Sequence, residues 1–105
     1  MEEGYRIQAR MVKALAHPTR LQMLALLRDG ERCACEFGPL LDLGQANVSQ
    51  HLAVLRKAHL VDTRRDGVRV MYSLSDGRIS GALDTLAHIA RDQFAEAVAA
   101  LQEVA

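Results

Sequence analysis

The hydrophobic period changes from that of a helix to that of a strand within forty residues of this chain, which confines it to very few folds. Over residues 35–43, Phe37, Leu40 and Leu41 recur at helical spacing, and Gly44 breaks the pattern. From Gln45 onward, Val48, Leu52 and Leu55 recur at steps of four and three, one buried stripe on a second helix. Residues 60–65 and 68–74 then form two β-prone runs flanking Asp66-Gly67, a dipeptide suited to a type I′ hairpin turn with positive φ at both central positions.

The exposed positions at the start of the second helix carry Gln45, Asn47, Ser49 and Gln50. All are uncharged hydrogen-bonding side chains, the kind that read base edges when a helix lies in a major groove. An ordinary helical hairpin with a solvated polar face would show the same residues, since such side chains are also common caps. The hairpin decides between the two. Arg64, Arg65 and Arg69 cluster at its tip, and a reading helix followed at once by a basic hairpin is a winged helix-turn-helix. The expected fold is mainly α with one small β-hairpin, a single domain over residues 1–105.

Three runs carry a family resemblance. Ala14-Leu15-Ala16-His17-Pro18-Thr19-Arg20-Leu21 resembles the A-L-x-x-P-T-R-L run of the ArsR/SmtB repressors. Glu31-Arg32-Cys33-Ala34-Cys35-Glu36-Phe37 is similar to that family's E-L-C-V-C-D-L metal box. Val48-Ser49-Gln50-His51-Leu52 with Val54-Leu55-Arg56 resembles its V-S-x-H-L-x-x-L-R recognition helix. The match runs unbroken over about residues 14 to 75. Two departures stand out: Arg32 replaces an apolar residue, and Gly38 stands where arsenite-responsive members have a third cysteine.

Net charge is zero, yet its distribution favours nucleic acid. Residues 1–44 are balanced, residues 45–75 carry five basic against two acidic groups, and residues 76–105 carry two basic against five acidic. The surplus of +3 coincides with the proposed reading helix and wing, as phosphate contact requires. No apolar run approaches the ~20 residues of a membrane span, and the amino terminus lacks the regions of a signal peptide. A cytoplasmic protein without membrane contact is expected, and in that compartment two cysteines read as thiols or ligands rather than a staple.

Flanking helices complete the chain. Residues 5–16 carry an apolar side of Ile7, Met11, Val12 and Leu15. Pro18 suits the first position of a helix that runs through Leu21, Met23, Leu24 and Leu27 and stops at Gly30. Residues 79–104 read as one long helix with an apolar stripe including Leu83, Leu86, Ile89, Phe94, Val98 and Leu101. Such a length exceeds what a body of this size can cover. A core helix lying across the domain is one reading. The other is a homodimer seam, and the resemblance implies pairing through the terminal helices.

The chemistry lies in Cys33 and Cys35. Residues two apart on a regular helix point ~200° apart, so chelation of one ion by both sulfurs asks the first turn to be open or to open. A helix start favours the thiolate, and thiolates select arsenite, antimonite, mercury, cadmium or lead over hard ions. Three readings of the pair remain: a thiophilic metal or metalloid site, a thiol redox or persulfide sensor, and small apolar side chains filling a helix start. Thiol-disulfide exchange enzymes show Cys-x-x-Cys after a strand in a βαβ pattern, which is missing. Neither a catalytic constellation nor an organic cofactor motif occurs. Asp84, His88 and Asp92 line one helix face and offer a second, poorer metal site. His51 reads as a packed, hydrogen-bonded histidine, and His17 and His59 as helix-end residues.

The resulting expectation is a homodimeric repressor that is not an enzyme. It binds operator DNA through Gln45, Asn47, Ser49, Gln50, Arg64, Arg65 and Arg69. A thiophilic metal or metalloid ion at Cys33 and Cys35 releases it.

Overall fold

A computed structural model describes residues 2–104. Helix α1 (Glu2–Leu15) begins three residues earlier than its apolar pattern, because Glu2 and Glu3 suit the positive end of the helix dipole and Lys13 the other end. Helix α2 (Pro18–Leu26) starts on Pro18, and His17 caps it: its Nδ1 accepts the Thr19 N–H at 3.1 Å. The helix tightens into a 3-10 turn, Leu27–Asp29, and ends at Gly30, whose φ of 136° few other residues tolerate.

A strand that hydrophobic period does not reveal comes next. Strand β1 is only Arg32–Cys33, pairing antiparallel with β3 (Arg69–Leu74) through Arg32↔Tyr72 and Cys33↔Met71. With β2 (Val61–Asp66) on the other side, the sheet has three strands in the order β1-β3-β2 rather than the two of a bare hairpin. The hairpin turn also sits one residue later than expected. Asp66 pairs with Arg69, so the loop is Gly67-Val68. Only Gly67 has positive φ there (63°), the II′ pattern rather than I′.

Helix α3 (Ala34–Leu41) and helix α4 (Gln45–Lys57) form the helix-turn-helix. The break between them is made by Asp42, not Gly44. Asp42 enters the left-handed region (φ 55°) and bonds back to the Gly38 carbonyl, as does the Leu43 N–H at 3.0 Å. Gly44 has an ordinary φ of −68° and caps α4. At the far end of α4, His59 adopts φ 61°. Its N–H bonds to Arg56 O and the Leu60 N–H to Leu55 O, a Schellman ending whose apolar contact is the buried pair Leu55 and Leu60.

The core is built from α2, α3, α4 and the start of β2, with Met23, Leu24, Phe37, Val48, Leu52, Leu55 and Leu60 fully buried. Leu40, expected in α3's buried stripe, is 52% exposed. Burial follows Phe37 and Gly38, and Leu40 lies on the far side of the helix.

Helix α5 (Arg78–Val104) runs 27 residues, about 40 Å. Leu83 packs on the core, but Leu86, Ile89, Phe94 and Leu101 are at least half exposed. The radius of gyration, 16.4 Å, exceeds the ~13 Å of a compact chain of this length, because α5 extends past the body. Tyr5, Ile7 and Val12 of α1 are likewise exposed. No helix among the described residues is long and apolar enough to cross a membrane.

Candidate nucleic-acid interface and thiol pair

Helix α4 divides along its length and around its axis. Val48, Leu52 and Leu55 are buried to 1% exposure or less, which fixes the helix's rotation against the core. That rotation leaves Gln45, Asn47, Ser49 and Gln50 exposed. None of the four makes a side-chain hydrogen bond among the described residues. Their donors and acceptors are free for a ligand: Gln45 and Ser49 are neighbours one turn apart, as are Asn47 and Gln50, and the two pairs flank the side of α4 that faces away from the core.

The wing arginines are not equivalent. Arg64 is clamped by Glu31: its Nε donates to both carboxylate oxygens at 3.0 and 2.8 Å, and its Nη2 donates to Oε1 as well. The same hydrogen bonds hold the Glu31 carboxyl below the ordinary carboxylate range. The charge of Arg64 is thus matched within the fold. Arg65 and Arg69 are exposed and have no ion pair among the described residues. The register places them on opposite faces of the ribbon, Arg65 with Val70 and Arg69 with Asp66.

Cys33 and Cys35 are joined by a disulfide, with Cα atoms 5.1 Å apart. Bringing the sulfurs together requires no unwinding of α3, because the turn is already open at Cys33, one of the two conditions that helix geometry sets. Cys33 is not helical: it is the N-cap, extended at φ −64° and ψ 141°, so its side chain folds over the first turn. Its Sγ accepts the Cys35 N–H at 3.1 Å and its own N–H donates to Glu36 Oε2 at 2.9 Å, a capping box with sulfur in place of a hydroxyl. Cys33 is buried and Cys35 exposed. Pro39, four residues beyond Cys35, cannot donate to the Cys35 carbonyl, so this first turn lacks one helical bond.

Only two sulfurs are available here. At Gly38, a Cβ would lie 3.0 Å from the Leu43 carbonyl oxygen and 3.9 Å from Val48. A third cysteine at that position would press on the turn that sets α4, so position 38 suits glycine here and the chain supplies two thiols rather than three. Among the described residues no group of three His, Cys, Asp or Glu side chains gathers as a metal site. Asp84, part of the second, poorer metal site expected on α5, is engaged by Arg28 of the 3-10 turn at 2.7 Å, and that hydrogen bond lowers its pKa.

His51 is half-buried and its ring makes no hydrogen bond among the described residues, unlike the hydrogen-bonded histidine expected; its neighbour is His17, with ring centroids 4.5 Å apart at 52°. Burial, then the nearby charges of His17 and Arg20, push the His51 pKa below its ordinary value. The sequence signals for both histidines were their positions at a helix start and beside a buried stripe. Their contact is a tertiary fact that no spacing encodes. The same holds for the Glu31–Arg64 clamp, which spans 33 residues.

Residues 17–63 match the family model described as bacterial regulatory protein, arsR family. The chain is 37% identical over 86 residues to the biofilm growth-associated repressor of Agrobacterium fabrum, covering 82% of this chain and 74% of that protein. It is 40% identical over 76 residues to the transcriptional activator HlyU of Vibrio cholerae, covering 72% and 70%. The solved structure of reduced HlyU from Vibrio cholerae is similar, with a TM-score of 0.74 at 36% identity over 85% of this chain and 94% of that one. The homodimeric winged helix-turn-helix domain of Mb0332 from Mycobacterium bovis, a possible ArsR-family regulator, gives a TM-score of 0.80 at 28% identity, covering 87% and 84%.

Proposed function

This chain belongs to the arsR family of bacterial regulatory proteins, and from that premise we propose that it is a homodimeric repressor whose hold on operator DNA is set by Cys33 and Cys35. As a winged helix-turn-helix transcriptional regulator it is not an enzyme. The observation that carries the reading is the place of Cys33 at the meeting point of three elements. It caps α3, pairs with β3 of the wing, and is bonded to Cys35. A change at these sulfurs acts at once on the helix beneath α4 and on the strand that carries the wing.

In the proposed complex, Ser49 and Gln50 read base edges with Gln45 and Asn47 beside them, and Arg65 and Arg69 contact phosphates. Arg64 adds less than either because Glu31 already compensates it. Dimerisation covers the bare stripes of α1 and α5, and a twofold axis then sets two copies of α4 on successive major grooves, about 34 Å apart.

Two chemistries at the pair fit the reading. A thiophilic ion (arsenite, antimonite, mercury, cadmium or lead) would bind the reduced dithiol. With Gly38 in place of a third cysteine, either an external thiol completes the site or the ion is one content with two sulfurs, such as mercury. The second chemistry is oxidation, favoured by the bonded sulfurs. The pair gives up two electrons and two protons to a peroxide, which is reduced to water or an alcohol with water. The similar HlyU structure from Vibrio cholerae is of the reduced protein, a state that is worth specifying only for a protein with an oxidised one.

The test is operator binding by reduced protein, by peroxide-treated protein, and by reduced protein titrated with each ion. Cys33→Ser and Cys35→Ser are expected to bind operator as the reduced wild type does and to respond to nothing. Release by ions alone selects the metal reading, and release by peroxide alone selects the redox reading. A serine variant that still responds fully places the sensor elsewhere.

A further inference from the structure

We propose that the open cleft lined by α1, α2 and α4 is a binding site for small carboxylates with an apolar body, separate from the cysteine pair. The cleft measures about 340 Å³, within the range of small-molecule pockets. Four cations line it: Arg10 and Lys13 from α1, Arg20 from α2 and Lys57 from α4. No acidic residue does. The ion pairs among the described residues use Arg6, Arg28, Arg64 and Arg78, so none of the four lining cations is compensated. The Nε of Arg20 is buried without a hydrogen-bond partner among those residues, which is costly for a charged donor.

The remaining walls are Ala14, Val54 and Ala58, with both alanines buried. Convergent positive charge over an apolar floor selects an anion that carries hydrocarbon rather than a bare oxyanion. DNA phosphate is a poor occupant. Lys57 is twelve residues from Gln45, about 18 Å along α4, at the end opposite the reading side chains.

The location gives such a ligand something to regulate. It would touch α1, which carries part of the unpartnered apolar stripe, and α4, which carries the reading residues. Tightening the grip of α1 on the last turn of α4 changes the angle between the dimer axis and the reading helix.

The test uses octanoate as probe on the reduced full chain near 0.15 M salt, with octanamide and inorganic phosphate as controls. Octanoate is expected to saturate one site per chain, with NMR shift changes confined to α1, α2 and the last turn of α4. Octanamide and phosphate are expected to bind at least tenfold more weakly. Arg10→Gln and Lys13→Gln, both at exposed positions, should each weaken octanoate fivefold or more while leaving the melting temperature and ligand-free operator affinity unchanged. Octanoate should also alter wild-type operator affinity at least threefold, and alter that of Lys13→Gln far less. Phosphate binding as tight as octanoate, equal binding of octanamide, or shifts centred on Leu86 and Phe94 of α5 would each overturn the site. Saturable binding at the site with no change in operator affinity would overturn the coupling. The cysteine reading survives any of these failures, because Cys33→Ser and Cys35→Ser test it without octanoate.

Discussion

Helices α4 and α5 are both amphipathic, yet the chain treats them in opposite ways. The stripe of α4 is covered by α2, α3 and β2, and Val48, Leu52 and Leu55 are almost inaccessible to solvent. The stripe of α5 is covered only at its start, and Phe94 and Leu101 are 69% and 71% exposed. The lesson is one of division of labour. This chain's own core fixes the rotation and ends of the helix that would meet DNA, and leaves the long helix for a surface outside the chain to complete. Exposed apolar residues recurring along a helix, here Leu86, Ile89, Phe94 and Leu101, are the mark of an association surface.

The largest expected effect attacks the covered helix. Leu52→Ala removes a fully buried side chain from the middle of α4 and should cost about 2–5 kcal/mol in denaturant unfolding. A loss below 0.5 kcal/mol would mean that α4 is not held by its stripe, and the contrast with α5 would collapse.

Phe94→Asp attacks the bare helix. It should cost on the order of 2 kcal/mol of association free energy by sedimentation equilibrium. The unfolding of the isolated chain should barely change, since Phe94 is 69% exposed. A chain that is monomeric before the substitution would show instead that α5 has some other cover.

His59→Gly sharpens the account of how α4 ends. The left-handed position at φ 61° costs a histidine what glycine does not pay, and stability should rise by about 1 kcal/mol. An unchanged unfolding midpoint would show that His59 makes a compensating interaction.

The smallest effect concerns pH. His51 on α4 has its pKa lowered from 6.5 by burial and by the charges of His17 and Arg20. The unfolded chain therefore takes up a proton first as pH falls. The contribution is fully present above pH 6.5 and declines as pH drops below 6.5 towards the folded value. His51→Gln should flatten the stability profile between pH 7 and 5.5, and an unchanged slope would assign it to other groups.

Much of this arrangement was legible in the residues. The stripes of α4 and α5, the wing, and the end at Gly30 all follow from period and turn chemistry. What escaped was short or tertiary. β1 has two residues, too few to show a period, and exists only because β3 offers it an edge. The apolar pattern breaks at Gly44, but the chain turns at Asp42, which takes the left-handed conformation with its N–H bonded to the Gly38 carbonyl. The hairpin loop moved from Asp66-Gly67 to Gly67-Val68 because Asp66 pairs across to Arg69. In the candidate site, the exposed polar face of α4 and the need for an open turn at the cysteines were legible, whereas the clamp on Arg64 depended on where β1 placed the chain.

The tiny strand has a consequence in time. Cys33 is made 38 residues before Met71, its partner across the sheet. At ~5–20 residues per second, the cysteine pair emerges from the ribosome roughly 2–8 s ahead of the strand that will hold it. During that interval neither sulfur is sheltered, and a local pair two residues apart can react with whatever the cell contains. A nascent chain thus samples the cell's chemistry before it owns a wing, and each new copy can begin life with its answer already written.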